Sequence, residues 1–245
     1  MKDFSFSHLS LTYVNKRSKE TVLALKDVSF SCSEGSFNVI LGPSGSGKTS
    51  LLKVIAGLLP FEGEISYGGK PLESCDATLL PRSYVSQEYV LYPRMTVFDN
   101  IAFPLKASGA ERKEIIESVR DVSEFLDLAY LWGRKPKELS GGQRQKVALA
   151  RAMVKRPALA LFDEPLSNID QQARFEEKDY IKETCARAKS TVFYVTHSIK
   201  EALALAENLI ILKEGSLLAF GSKETLMKST NLEVRSMLNV SEYAL

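Results

Sequence analysis

The chain has 245 residues, 44% of them hydrophobic and 25% charged, ordinary globular values that exclude wholesale disorder. Its 32 Lys+Arg against 30 Asp+Glu leave a formal charge of +2, too little for a basic field that would hold nucleic acid or anionic lipid. No apolar run approaches the roughly 20 residues needed to cross a bilayer, and Met1 to Ser10 lacks the continuous apolar core of a signal peptide.

Phe4, Phe6, Leu9, Leu11 and Tyr13, then Val22, Leu25, Val28 and Phe30, alternate with polar residues. This predicts two or three short antiparallel strands, with the charged cluster Asn15 to Glu20 at a hairpin tip. Phe37 to Leu41 reads as a strand ending in a glycine-rich turn, Gly42 to Gly47, and Leu51, Leu52, Ile55 and Leu58 then carry helical spacing. Gly68 and Gly69 mark a turn within a small β-segment, and Tyr84 and Val85 form a short strand running toward Gln87. From about Tyr89 to Met153 the pattern is helical, with Ile115, Val119, Val122 and Leu126 on one face. Leu159 to Phe162 is an apolar strand, Gln171 to Lys189 a polar helix, and Val192 to Val195 a strand. Glu201 to Glu207 is helical, Leu209 to Leu212 a strand, and Leu217 to Phe220 a last strand. Strands and helices alternating around a helical insert imply an α/β fold with a mainly parallel sheet. Three widely spaced cysteines, Cys32, Cys75 and Cys185, argue against a disulfide framework or zinc site and for buried thiols in a reducing cytosol.

Gly42, Pro43, Ser44, Gly45, Ser46, Gly47, Lys48 and Thr49 satisfy GxxxxGK[ST] after a strand and at the start of a helix; Ser50 follows on that helix as a further candidate contact. The glycines let backbone approach a triphosphate closely, and amides at the helix N-terminus favour its charge. Lys48 suits the β- and γ-phosphates, and the Thr49 hydroxyl suits Mg²⁺. Downstream, the Leu159 to Phe162 strand delivers Asp163 and Glu164 at its C-terminal end, where ligands of parallel sheets sit. Asp163 is a candidate for hydrated Mg²⁺, and Glu164 for accepting a proton from an attacking water.

Leu139-Ser140-Gly141-Gly142-Gln143 resembles the signature sequence of the ATP-binding cassette (ABC) ATPases. Ser140 can cap a helix running from Gln143 to Met153, with Gly141 and Gly142 exposing backbone at its start, a second anion site. The resemblance covers about residues 3 to 230 and implies a P-loop NTPase core (1–88 and 156–222) with an N-terminal antiparallel β-subdomain and an inserted helical subdomain (about 89–155). It implies ATP hydrolysis, with ATP and Mg²⁺ bound, and a signature that completes the ATP site of a second subunit, head to tail. It further implies that Gln87 contacts Mg²⁺ and the attacking water, that His197 contacts the γ-phosphate, and that Tyr13 stacks on adenine. Asp170, in Ser167-Asn-Ile-Asp170, would lie in the loop that crosses the dimer interface. His8 has no such context and reads as structural. Ser198 and Lys146 depart from the residues frequent in the family, Asp and Arg.

Tyr89 to Leu105 resembles the corresponding part of importers for sugars and similar organic solutes. There this region receives a cytoplasmic helix of an integral membrane permease, which implies contact through Tyr89, Val90, Leu91 and Tyr92, with Val97, Phe98 and Ile101 as core. The expected function is therefore the ATPase subunit of an importer. It would be a homodimer or pair with a related subunit, lie peripherally on the cytoplasmic face of the membrane, and serve an extracytoplasmic solute-binding protein. A soluble ABC ATPase of cofactor assembly, or an exporter subunit, is the alternative. Residues 223–245 are expected to form a short helical tail without a regulatory domain. A non-catalytic binding module is disfavoured because Glu164 and His197 are both present.

Overall fold

The computed structural model describes residues 2–14, 19–75, 80–166 and 173–239. In chain order its elements are β1 (Asp3–Val14), β2 (Thr21–Ser33), β3 (Phe37–Leu41), α1 (Lys48–Ile55), β4 (Glu62–Tyr67), β5 (Lys70–Pro71) and β6 (Arg82–Val85). There follow α2 (Val97–Ala107), α3 (Arg112–Phe125), α4 (Gly141–Met153), β7 (Leu159–Asp163), α5 (Ala173–Ala188) and β8 (Thr191–Val195). The chain continues through α6 (Ile199–Leu205), β9 (Asn208–Lys213), β10 (Ser216–Ser222), α7 (Lys223–Met227) and α8 (Leu232–Met237). Two compact units result, one of residues 1–79 with 191–245, the other of residues 80–190.

In the first unit, β1 pairs antiparallel with β2 on one side and β4 on the other, and β5 closes the edge. Both expected hairpin strands are longer than anticipated, because register shifts between Phe6 and Thr12 let the ladder bend and continue. The expected tip falls partly outside the described residues. The second sheet of this unit places β3 parallel to β8 and to β9, with β10 antiparallel on β9. Both core strands, β3 and β8, are buried along their whole length, so their apolar runs do not alternate. Phe6 stacks on Phe30 at 4.3 Å between ring centroids, Phe193 meets Phe6 edge-on at 5.4 Å, and Phe220 lies 5.4 Å from Phe30. These rings join the antiparallel sheet to the parallel one. Each buried Phe contributes about 1.5–3 kcal/mol.

Asn38, the second residue of β3, is completely buried. Its Nδ2 donates to the Val192 carbonyl (3.1 Å) and the Ser36 hydroxyl (3.0 Å), and its Oδ1 accepts from Asn208 Nδ2 (3.0 Å). A fully partnered polar group of this kind pins three strands in one register.

In the second unit, β6 and β7 run parallel, and α2, α3 and α4 pack around Val97, Ile101, Val119, Val147 and Ala150. Thr96 caps α2, accepting from the Asp99 amide at 3.1 Å. Phe98, expected as core, is only half-buried: its ring lies edge-on to Trp132 at 5.2 Å, on the rim of the helical layer. Cys32 and Cys185 are buried, and burial pushes the Cys32 thiol up to about 12; Cys75, against expectation, is partly exposed. No helix among the described residues is long and apolar enough to cross a membrane.

Candidate nucleotide-binding site

In the first unit the phosphate loop joins β3 to α1. Gly47 precedes the helix at φ 99°, where an added Cβ would sit 2.6 Å from the Ala24 carbonyl oxygen. A Cβ on Gly42 would sit 2.3 Å from the Leu212 carbonyl oxygen, so backbone from β2 and β9 presses the loop into shape at both ends. Gly45, at φ 77°, faces open space. No side chain caps α1, and no acid stands in its first turn. Lys48 is only 7% exposed and bends back over the loop, its Nζ donating to the carbonyls of Gly42 and Pro43 at 2.9 Å each. Ser46 is buried with its Oγ unpartnered. An uncapped helix start, a lysine held by main-chain carbonyls and an orphaned buried hydroxyl together fit a phosphate chain.

Tyr13, 40% exposed near the end of β1, has its hydroxyl 3.2 Å from the Ser50 Oγ, so its ring stands beside the first turn of α1. In the parallel β3–β8 pair Ile40 is opposite Val195. Gly42 and the exposed His197 therefore emerge two residues beyond one matched position, at the same sheet end. The turn carrying His197 is fixed from behind: Glu201 accepts from the hydroxyls of Tyr194 and Thr196, and Ser198 caps α6. Ser198 thus fills the capping role that an Asp would fill. His8 lies on the surface with Nδ1 2.6 Å from Asp27 Oδ1, in keeping with a structural reading.

In the second unit Val85 is opposite Phe162 in the β6–β7 register, so Gln87 and Glu164 likewise lie two residues past a matched pair. Asp163 is 8% exposed, and Oδ2 accepts from the Tyr84 hydroxyl at 2.8 Å. Glu164 is half-buried at φ 48°, a left-handed conformation costly for a residue with a side chain. Within this unit Gln87 and Asp163 offer amide and carboxylate oxygens, hard donors that fit Mg²⁺ in chemistry, as does the Thr49 hydroxyl of the first unit taken by itself.

The signature helix α4 begins at Gly141, two residues before the sequence-based start, so both glycines belong to its first turn. Ser140 Oγ accepts from the Gln143 amide (3.2 Å) and Gln143 Oε1 accepts from the Ser140 amide (2.9 Å), a reciprocal cap. Ser140 and Gly141 are exposed. One turn on, Gln145 is buried with both amide atoms unpartnered. Lys146 lies 4.2 Å from the centroid of Tyr180, which gives the departure from Arg a local partner. Asp170, with the rest of Ser167 to Asp170, lies outside the described residues.

Of the expected partner-facing segment, Val90 (60% exposed) and Tyr92 are on the surface and Tyr89 is half-buried. Leu91 is buried and cannot face a partner; it packs inward where Val90 and Tyr92 point out. Arg151 of α4 donates to the Val90 carbonyl at 2.6 Å and lies 5.4 Å from the Tyr92 ring centroid. The motifs did not disclose Tyr84, Glu201 or Arg151. Tyr84 is three residues before Gln87 on β6, and only the strand pairing shows what it faces.

The family model described as ABC transporter matches residues 25–167. The trehalose/maltose import ATP-binding protein of Thermococcus litoralis is 43% identical over 83% of this chain and 56% of its own length. The sn-glycerol-3-phosphate import ATP-binding protein of Cupriavidus necator is 41% identical over 87% of the chain and 59% of its own. The molybdate/tungstate import ATP-binding protein of Pyrococcus horikoshii is 42% identical over 87% and 63%. The chain thus spans about three fifths of the length of these relatives. The dimeric ATP-binding cassette MJ0796 bound to ADP and Pi superposes with a TM-score of 0.77 at 29% identity, over 89% of this chain and 98% of that one. With the phosphate loop formed in the first unit, and the acidic strand end and the capped signature helix in the second, the P-loop α/β fold expected from the sequence is established, and the chain belongs to the ABC transporter family.

Proposed function

We propose that this chain is the ATP-hydrolysing subunit of an importer, closing head to tail with a second copy or a related subunit around two ATP molecules. The observation that carries this reading is the presence of two helix starts suited to a phosphate in one chain, the uncapped start of α1 and the exposed, serine-capped start of α4. One nucleotide does not need both from the same subunit. In this reading Lys48 and the amides from Gly42 to Ser50 hold the phosphates, and Tyr13 stacks on adenine. Ser140, Gly141, Gly142 and Gln143 of the opposing subunit cover the γ-phosphate, with Asp170 at the interface. Gln87 orients the attacking water, Glu164 accepts its proton, and His197 contacts the γ-phosphate. Thr49, Gln87 and Asp163 would hold Mg²⁺, which when bound offsets the charge gathered on the phosphates. Tighter ATP binding by the closed dimer shifts the equilibrium toward closure, and hydrolysis lets the dimer reopen.

The relatives are import ATP-binding proteins, which supports a permease as partner and, in the same system, an extracytoplasmic solute-binding protein. Tyr89, Val90 and Tyr92 suit an apolar contact with a permease helix, and that contact would hold the chain at the cytoplasmic face of the membrane. The test is disulfide crosslinking of a chain carrying Ser44→Cys, Ser140→Cys and Cys75→Ser, the last removing the partly exposed native thiol. ATP-enhanced crosslinks between chains are expected. Crosslinks only within a chain, at every protein concentration, would refute the head-to-tail dimer.

A further inference from the structure

We infer that Tyr84 is the positioning residue that sets the carboxylate of Asp163 for the divalent metal of the nucleotide complex. The inference rests on the nucleotide-binding reading above. Asp163 ends a buried strand. The Tyr84 hydroxyl, projecting from the neighbouring parallel strand, donates to Oδ2 at 2.8 Å and so favours one rotamer of that carboxylate. A carboxylate offers only acceptors, so the phenol is the donor and its hydrogen lies toward Oδ2. A carboxylate oxygen retains a further lone pair, and the second oxygen is oriented by the same bond. A metal held through water needs such an acceptor in a constant place, because each water's geometry follows from the acceptor it donates to.

Tyr84→Phe removes the hydroxyl and keeps the ring. The binding of a fluorescent ATP analogue to the full chain should be followed in EDTA and in a Mg²⁺ titration. In EDTA the variant should match wild type within about twofold, and the Mg²⁺ midpoint should rise about tenfold, the scale of one hydrogen bond to a charged group. An unchanged midpoint, or an equal loss with and without metal, would overturn the positioning role. Failure of wild type itself to bind the analogue would instead overturn the nucleotide-binding reading. Should the variant not fold, wild-type protein with ¹³Cζ-labelled tyrosine gives a second readout. Mn²⁺ with ATP should broaden the Tyr84 signal, and a signal that stays sharp at saturation overturns the proposal.

Discussion

The starts of α1 and α4 both follow glycine-rich or serine-glycine turns, yet they treat their exposed amides in opposite ways. At α1 no side chain caps the helix, and the one buried hydroxyl nearby, that of Ser46, has no partner. The α4 start is closed by the Ser140–Gln143 box before any ligand arrives. An uncapped terminus is incomplete and gains most from an anion. A capped terminus is stable alone, and its serine accepts the Gln143 N–H through a lone pair, which leaves the hydroxyl proton available to donate outward. On the proposed reading, the first start binds a phosphate and the second recognises one already held by the opposing subunit.

The largest expected effect comes from Glu164→Gln, which keeps shape but removes the base. Hydrolysis should fall roughly 10²–10⁴-fold, and with Mg·ATP an accumulated dimer should elute on size-exclusion chromatography. A dimer without ATP, or brisk hydrolysis, would assign closure or the base role elsewhere. Next, Lys48→Ala should cut turnover by about 10²–10³ and weaken ATP binding, because it removes the charge at the incomplete terminus. Turnover within about threefold of wild type would count against the α1 site. Gly47→Ala places a Cβ against the Ala24 carbonyl in a left-handed conformation and should lower unfolding stability by about 1–3 kcal/mol, read by thermal melting without nucleotide. The smallest change is Ser140→Ala, which should cost about 1 kcal/mol of stability through the lost cap. It should leave ATP binding to the monomer intact while weakening ATP-dependent dimerisation. If monomer binding fell instead, α4 would belong to its own chain's site, and the contrast with α1 would disappear.

The contiguous motifs were legible because their chemistry is local: glycines shape one turn, and a serine caps the helix that follows it. The strands of the first unit were legible because one face of each is buried, although the register shifts that lengthen β1 and β2 leave no trace in residue type. Leu91 misled because an apolar run in a loop has no period to divide inward from outward positions. The supporting groups stayed hidden for a different reason. Tyr84 meets a residue 79 positions away, and Glu201 receives two hydroxyls through a helix–strand contact that composition does not encode. The departures at Ser198 and Lys146 acquired an explanation only once the helix cap and the Tyr180 ring were seen.

Gln145 carries a consequence for the balance between conformations. Asn38 spends its buried amide on β8 and β9, whereas Gln145, one turn into α4, leaves both of its polar atoms without a partner. A buried amide in that condition raises the free energy of this conformation by about 1–3 kcal/mol. Any alternative arrangement that supplied it with a partner would recover that amount, which multiplies its population by roughly 5–150. The signature helix is therefore held in a state whose relative population a small repacking around Gln145 can change, before any ligand contributes.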